Sequence, residues 1–156
     1  LPSQLTRTPP KLPCVEADFN NSPLSLPRRI ADVLNACLDA DPARRPPMLL
    51  VRDVFAAHLL RDKHRATLVL GNNVHILDAT NRIARIGAGA LGSIDIRYDG
   101  LQFLVVAISG NVTINNSALH LNQPLPGACV ITLGDPSLLW NRRHITVDVS
   151  HPEVVL

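Results

Sequence analysis

A chain of 156 residues with 46% apolar side chains can build one sizeable core and is too hydrophobic to remain disordered. Aromatic residues make up only 3%, so that core must be built mainly from Leu, Ile, Val and Ala. A formal net charge of +2 excludes the broad basic field of a nucleic-acid binder; Arg28-Arg29, Arg44-Arg45 and Arg142-Arg143-His144 are short, lie far apart in sequence and read as solvated surface.

Residues 1–25 hold Pro2, Pro9, Pro10, Pro13 and Pro23 among polar residues, which predicts an extended lead-in and not a helix. Ser25 then offers an N-cap, with Pro27 in the first turn of a helix whose stripe is Ile30, Val33, Leu34, Cys37 and Leu38. Pro42 stops that helix, and Pro46-Pro47 open a second one carrying Leu50, Val51, Val54, Phe55, Leu59 and Leu60. The expectation is a helical hairpin over 26–62, with Arg61, Lys63, His64 and Arg65 gathered where the helix dipole favours positive charge.

Beyond Arg65 the period changes from helical to twofold. Short runs at Thr67–Leu70, Val74–Leu77, Arg82–Ile86, Ser93–Arg97, Leu101–Ile108, Val112–Asn115, Ala118–Leu121, Cys129–Leu133 and Ile145–Val149 read as strands. Turn formers separate them: Gly71-Asn72-Asn73, Asp99-Gly100, Ser109-Gly110, Pro126-Gly127 and Gly134-Asp135-Pro136. Short strands without intervening helices predict a mainly β fold, an antiparallel sandwich over 66–150, with 151–156 as a tail. Ile94/Ile96 and Val112/Ile114 alternate as half-buried strands do, whereas Leu104 to Ile108 reads as a strand buried on both faces.

Chemistry-bearing patterns are scarce. Gly87-Ala-Gly-Ala-Leu-Gly92 fits G-x-G-x-x-G, but the period-two run that follows is a strand, and a dinucleotide fold needs a helix there. Val106-Ala107-Ile108 looks like the strand before a kinase's ATP-binding Lys, yet Ser109 stands in the Lys position, and no His-Arg-Asp or Asp-Phe-Gly occurs. The six histidines have no ligand spacing and there is no Gly-x-Ser-x-Gly turn, so no catalytic residue, metal site or cofactor is expected. Cys14, Cys37 and Cys129 are odd in number without C-x-x-C spacing, which fits a reducing cytoplasm; the latter two read as small buried hydrophobes. Trp140, beside Leu138-Leu139, reads as a core or interface residue. The apolar run Phe103–Ile108 is far too short to span a bilayer. No signal peptide is visible, and the first residue is Leu, as in a chain that begins mid-protein.

Two stretches carry family resemblance. Asp41-Pro-Ala-Arg-Arg-Pro46, directly after a helix ending Leu34–Leu38, resembles the closing helices of the eukaryotic-like Ser/Thr protein kinase domain over roughly 24–60. Its structural signature here is Asp41, Pro42, Arg45 and Pro46. The resemblance implies that Arg45 pairs with a Glu that this chain lacks, so Arg45 turns to Asp41 or Asp53, or stays in water. The region 67–150 resembles the forkhead-associated (FHA) domain through Ile86-Gly87, Ile94-Asp95-Ile96, Val112-Thr-Ile-Asn-Asn116, and Leu125-Pro-Gly127 before Val130-Ile-Thr-Leu-Gly134. Such domains are often fused to bacterial Ser/Thr kinases. The family reads phosphothreonine with an Arg after the first Gly, a Ser-x-x-His turn and an Asn before Gly. Here Ala88 takes the Arg position, no Ser-x-x-His lies between residues 97 and 110, and Asn115 is followed by Asn116.

The two resemblances together imply a non-catalytic C-terminal regulatory segment of a Ser/Thr kinase. It would bind protein partners or its own kinase domain largely without phosphate, in the cytoplasm, with no nucleic acid and no membrane span. Recognition would fall on loops at one end of the sandwich, around Gly87–Ser93, Ser109–Val112 and Asn115–Ser117, with Ser93, Ser109, Asn115 and Asn116 as candidate contacts. The alternative is a phosphothreonine-peptide reader using Asn115 with rearranged basic residues such as Arg85 or Arg97.

Overall fold

The structure, a computed structural model, describes residues 18–150 and Pro152. Most of the lead-in, including Pro2, Pro9, Pro10, Pro13 and Cys14, and nearly all of the 151–156 tail lie outside the described residues. The chain divides after Leu59 into a helical unit and a β unit.

The helical unit begins with a turn where an extended lead-in is expected. The Asp18 carboxylate accepts from the Asn20 backbone N–H at 2.9 Å and caps a 3-10 turn, Phe19–Asn21. Asn35 clamps that turn: its Nδ2 donates to Asp18 at 2.8 Å and its Oδ1 accepts from the Phe19 N–H at 2.8 Å. These hydrogen bonds, the Asn20 backbone contact foremost, hold the Asp18 carboxyl below its ordinary range.

Helix α1 spans Arg28–Cys37 and buries Ile30, Ala31 and Val33, one stripe of the 3.6 period. Ser25 is not its cap. Pro27 occupies that position, and its carbonyl accepts from the Ile30 and Ala31 N–H groups at 2.9 and 3.0 Å. Proline suits this place because it lacks an N–H and its φ is already near −56°. The Asp41–Pro46 turn follows. Asp41 accepts from the Ala43 N–H at 2.9 Å and caps the 3-10 turn Pro42–Arg44, and Pro46 lies just past it. Arg45 finds neither Asp41 nor Asp53: its Nε donates to the Asp39 main-chain carbonyl at 2.9 Å, while Asp41 pairs with Arg44 and Asp53 with Arg52. A carbonyl left over past the end of α1 is a nearer acceptor than a solvated carboxylate. Helix α2, Met48–Leu59, is apolar yet buries none of its residues; Met48 is 77% exposed and Leu49 59%.

Among the described residues the β unit has nine strands: β1 (Ala66–Leu70), β2 (Asn73–Leu77), β3 (Ile83–Gly87), β4 (Gly92–Tyr98), β5 (Phe103–Gly110), β6 (Val112–Ile114), β7 (Ser117–Ala118), β8 (Cys129–Leu133) and β9 (Arg143–Val149). All pairings are antiparallel, in two sheets of order β2-β1-β9-β8-β6-β7 and β3-β4-β5. Side chains alternate across a strand, so β4 turns Ile94, Ile96 and Tyr98 inward, and β8 turns Cys129, Ile131 and Leu133. With Leu68, Leu77, Val105 and Ile145 they form one core fed by both sheets. Each fully buried Leu or Ile contributes about 1.5–3 kcal/mol relative to an exposed one. Burial pushes the Cys129 thiol up, so it stays protonated and behaves as a small hydrophobe.

Two strands depart from the sequence reading. Leu104 to Ile108 is not buried on both faces. β5 is an edge strand in which Phe103 and Val105 are buried and Ala107 is exposed. Pairing shifts between Asp95–Ala107 and Ile96–Val105, leaving Val106 as the extra residue of a bulge. The inward phase therefore jumps from Val105 to Ile108, and an unbroken apolar run serves both phases. The strand expected over Ala118–Leu121 stops at Ala118, because His120 and Gln123 close a turn with Asn122 in the left-handed region at φ 61°. The segment after that turn lies along the β5 edge, with Asn122 N–H donating to the Val105 carbonyl at 2.7 Å and Leu125 N–H to Phe103 at 2.8 Å.

Candidate functional site

The strand registers decide which loops meet. Gly87 lies opposite Ser93, Ser93 opposite Ser109, and Gly92 opposite Gly110, so Ser93 and Ser109 are neighbours at one end of the β unit. Between Gly87 and β4 the chain makes one 3-10 turn, Gly89–Leu91, closed by the Ala88 N–H on the Gly92 carbonyl at 3.0 Å. A strand then starts at Gly92, so the glycine-rich stretch offers no helix N-terminus to a pyrophosphate. The β5–β6 turn is tied to the β8–β9 connection at the same end. Gly134 N–H donates to the Asn111 carbonyl at 2.9 Å, and Asn111 Nδ2 donates to Asp135 at 3.1 Å.

Asn115 and Asn116 sit elsewhere, at the opposite end of β6. They form the two-residue turn between β6 and β7 with φ of 46° and 63°, the left-handed pair that such hairpins require. Asn115 holds β8 in place: its Oδ1 accepts from the Val130 N–H at 2.9 Å, and its own N–H donates to the Val130 carbonyl at 2.9 Å. Arg85 and Arg97 lie on the other sheet, Arg85 in mid-strand against Asp95 at 3.5 Å and Arg97 opposite Ile83. Asn115 is thus engaged in the fold, and its side-chain oxygen is already spoken for. Asn115→Ala is expected to destabilise the β unit by about 1–3 kcal/mol, because it strands the Val130 N–H and puts Ala at positive φ. A urea melt reads this directly, and a midpoint equal to wild type would refute the assignment.

The loop end gains its relief from a segment with no recognised motif, Pro136–Asn141. Asp135 caps it by accepting from the Ser137 N–H at 2.9 Å; that bond first, the Asn111 amide and the Arg142 charge after it, hold the Asp135 carboxyl below its ordinary range. Leu139 interrupts the helical turn with φ 45° and ψ −114°, a conformation that L residues with a branched chain rarely adopt. The kink leaves Leu139 62% and Trp140 85% exposed, with Leu138 at 37%.

Behind Trp140 an open cleft of about 560 Å³ lies between the end of β1 at Leu70 and Gly71, the end of β3 at Gly87 and Ala88, and Arg142, Arg143 and His144. Neither Arg142 nor Arg143 forms an ion pair or a side-chain hydrogen bond with a described residue, and Arg142 Nε is buried without an acceptor. His144 is placed by Thr132, whose Oγ1 lies 3.0 Å from its Nδ1.

In sequence these basic residues read as solvated surface and Trp140 as core or interface. The usable signal was their position: three apolar residues and then three basic ones, between the turn formers at Gly134–Pro136 and the final strand. A loop that must face water had no need of Leu138, Leu139 and Trp140 for packing.

Among the described residues no group of His, Cys, Asp or Glu is arranged to hold a metal ion, and no helix is long and apolar enough to cross a membrane. The fold and the site define a mainly antiparallel β protein with two preceding helices and a basic, Trp-flanked cleft at one end of its sheets. Set against known proteins, the chain matches no family model, no curated protein and no solved structure.

Proposed function

We propose that this chain is a non-catalytic, C-terminal protein-interaction segment of a bacterial Ser/Thr protein kinase. Its β unit is an FHA-like domain that engages partner proteins, or its own kinase domain, in the cytoplasm without requiring phosphate. The observation that carries this reading is the loop end itself, where Leu138, Leu139 and Trp140 stand in solvent beside a cleft with Arg142, Arg143 and His144. Exposed Trp with flanking Arg is the composition of interface hot spots. Residues through which the FHA family holds phosphate are replaced or engaged: Ala88 occupies the Arg position, and the Asn115 oxygen binds Val130. Two antiparallel sheets around one core agree with the architecture that the resemblance implies. Helix α2 adds support, since an apolar helix without a buried residue suits an element that packs on something else.

The test is a random peptide-display selection on the full chain, followed by calorimetry of the best binders synthesised with and without phosphothreonine. Affinities within about threefold, under 1 kcal/mol, are expected. A gain of about a hundredfold on phosphorylation would replace this reading with the phosphothreonine reader, and saturable heat with ATP and magnesium would replace it with an enzyme.

A further inference from the structure

The charges around the cleft specify more than a general interaction surface. Two guanidinium groups, Arg142 and Arg143, line it, and the Arg142 charge is felt by the Asp135 carboxylate. Among the described residues neither guanidinium lies within ion-pair distance of a carboxylate. No described lining residue contributes a carboxylate or a hydroxyl, so the cleft's described polar side chains are the two guanidiniums, the imidazole and the Trp140 indole N–H. Arg142 is half-buried and its Nε has no acceptor, so its hydration is already reduced while no protein group compensates. A guanidinium in that state gains from an anion that accepts two parallel hydrogen bonds. A carboxylate is such an anion.

We infer that the cleft receives an acidic, unphosphorylated peptide segment, an Asp or Glu side chain meeting Arg142 and Arg143 while an adjacent apolar side chain lies on Trp140. The inference rests on the interaction-module reading and names its partner chemistry. Trp140 is 85% exposed and Leu139 62%, so an aliphatic or aromatic neighbour of the acid finds an apolar surface that folding leaves uncovered. The positive φ of Leu139 is local strain retained at that spot, held between the Asp135 cap and the start of β9.

The same display selection decides it. Enriched peptides are expected to carry Asp or Glu next to Leu, Ile, Val or Phe, and to change the fluorescence of Trp140, the chain's sole Trp. Replacing the peptide acid by its amide, Glu by Gln, is expected to weaken binding about tenfold, Arg143→Ala to weaken it similarly, and the two changes together by little more than either alone. Arg143 and Trp140 are both exposed, so Arg143→Ala and Trp140→Ala keep the fold, which circular dichroism verifies. Enriched peptides without acidic residues, or acidic peptides indifferent to both variants, would overturn the inference and leave the interaction module standing at another surface. Binding seen only with phosphorylated peptides would overturn it in favour of the phosphate reader. A selection that enriches nothing would remove the inference and the interaction reading together.

Discussion

Gly92→Ala is expected to cost the β unit about 4 kcal/mol or more, enough to unfold it or nearly so. Gly92 adopts φ 129°, and a Cβ placed there would stand 2.6 Å from the Ser109 carbonyl oxygen. Its partner Gly110 is just as constrained: at φ 75°, a Cβ would meet Gly92 Cα at 2.9 Å and the Leu91 carbonyl oxygen at 3.2 Å. All three obstacles are main chain, so none can swing aside as a flexible side chain would. The two glycines let β4 and β5 cross at the loop end in closer contact than any side chain permits. Gly71 and Gly89 provide the control. Each also sits at φ 59° but has nothing within 4 Å of the missing Cβ, so Ala there should cost only the backbone strain of about 1–2 kcal/mol. Urea denaturation of the four Ala variants separates steric from conformational strain. A Gly92→Ala protein as stable as Gly71→Ala would show that the close approach does not exist.

Tyr98 is the second large effect. Its ring is 1% exposed, stacks on Phe103 with centroids 4.6 Å apart, and lies under the Arg82 guanidinium at 5.6 Å. Its hydroxyl donates to the Gly100 carbonyl at 2.8 Å and accepts from the His64 N–H at 3.2 Å. Tyr98→Ala should destabilise the β unit by about 3–5 kcal/mol through the cavity it leaves. Tyr98→Phe keeps the packing but strands those main-chain groups, for about 1–3 kcal/mol. The same residue sets an alkaline limit. Burial, above all, raises the phenol above its ordinary 10.0, so the folded state keeps the proton after the unfolded chain has released it. The stabilisation is therefore complete below the unfolded value and declines as pH climbs through the folded one. Wild type should lose stability in urea as pH rises past the ordinary phenol value of 10.0, with Tyr98→Phe losing less. Parallel curves would mean that the hydroxyl is not held as described.

How much of this was legible beforehand depended on whether a residue's role was local. Ile94 and Ile96 alternate in sequence as they do in the core, and Val112 and Ile114 do the same, so these strands could be read directly. The β5 bulge could not, because it concerns where Val106 falls against β4, and an apolar run is silent about register. Ser93 and Ser109 could be named as loop-end residues, but only the ladder makes them neighbours. Asn115 looked like a ligand contact because an Asn before a turn resembles one; its tie to Val130 is a long-range bond that periodicity does not encode. The cleft was hardest of all. It joins the ends of β1 and β3 to a loop more than fifty residues later, and the exposure of Trp140 follows from one backbone kink at Leu139.

The pairing of β1 with β9 has a mechanical consequence. Ala66 faces Val149, and beyond them Arg65 and Ser150 exchange hydrogen bonds of 2.8 Å each, so the chain enters β1 and leaves β9 side by side. A unit whose first and last strands lie side by side has its two ends close together. Tension applied through those ends would peel the two strands apart rung by rung instead of shearing all the rungs together. The β unit should yield to a weak pull however well its interior is packed.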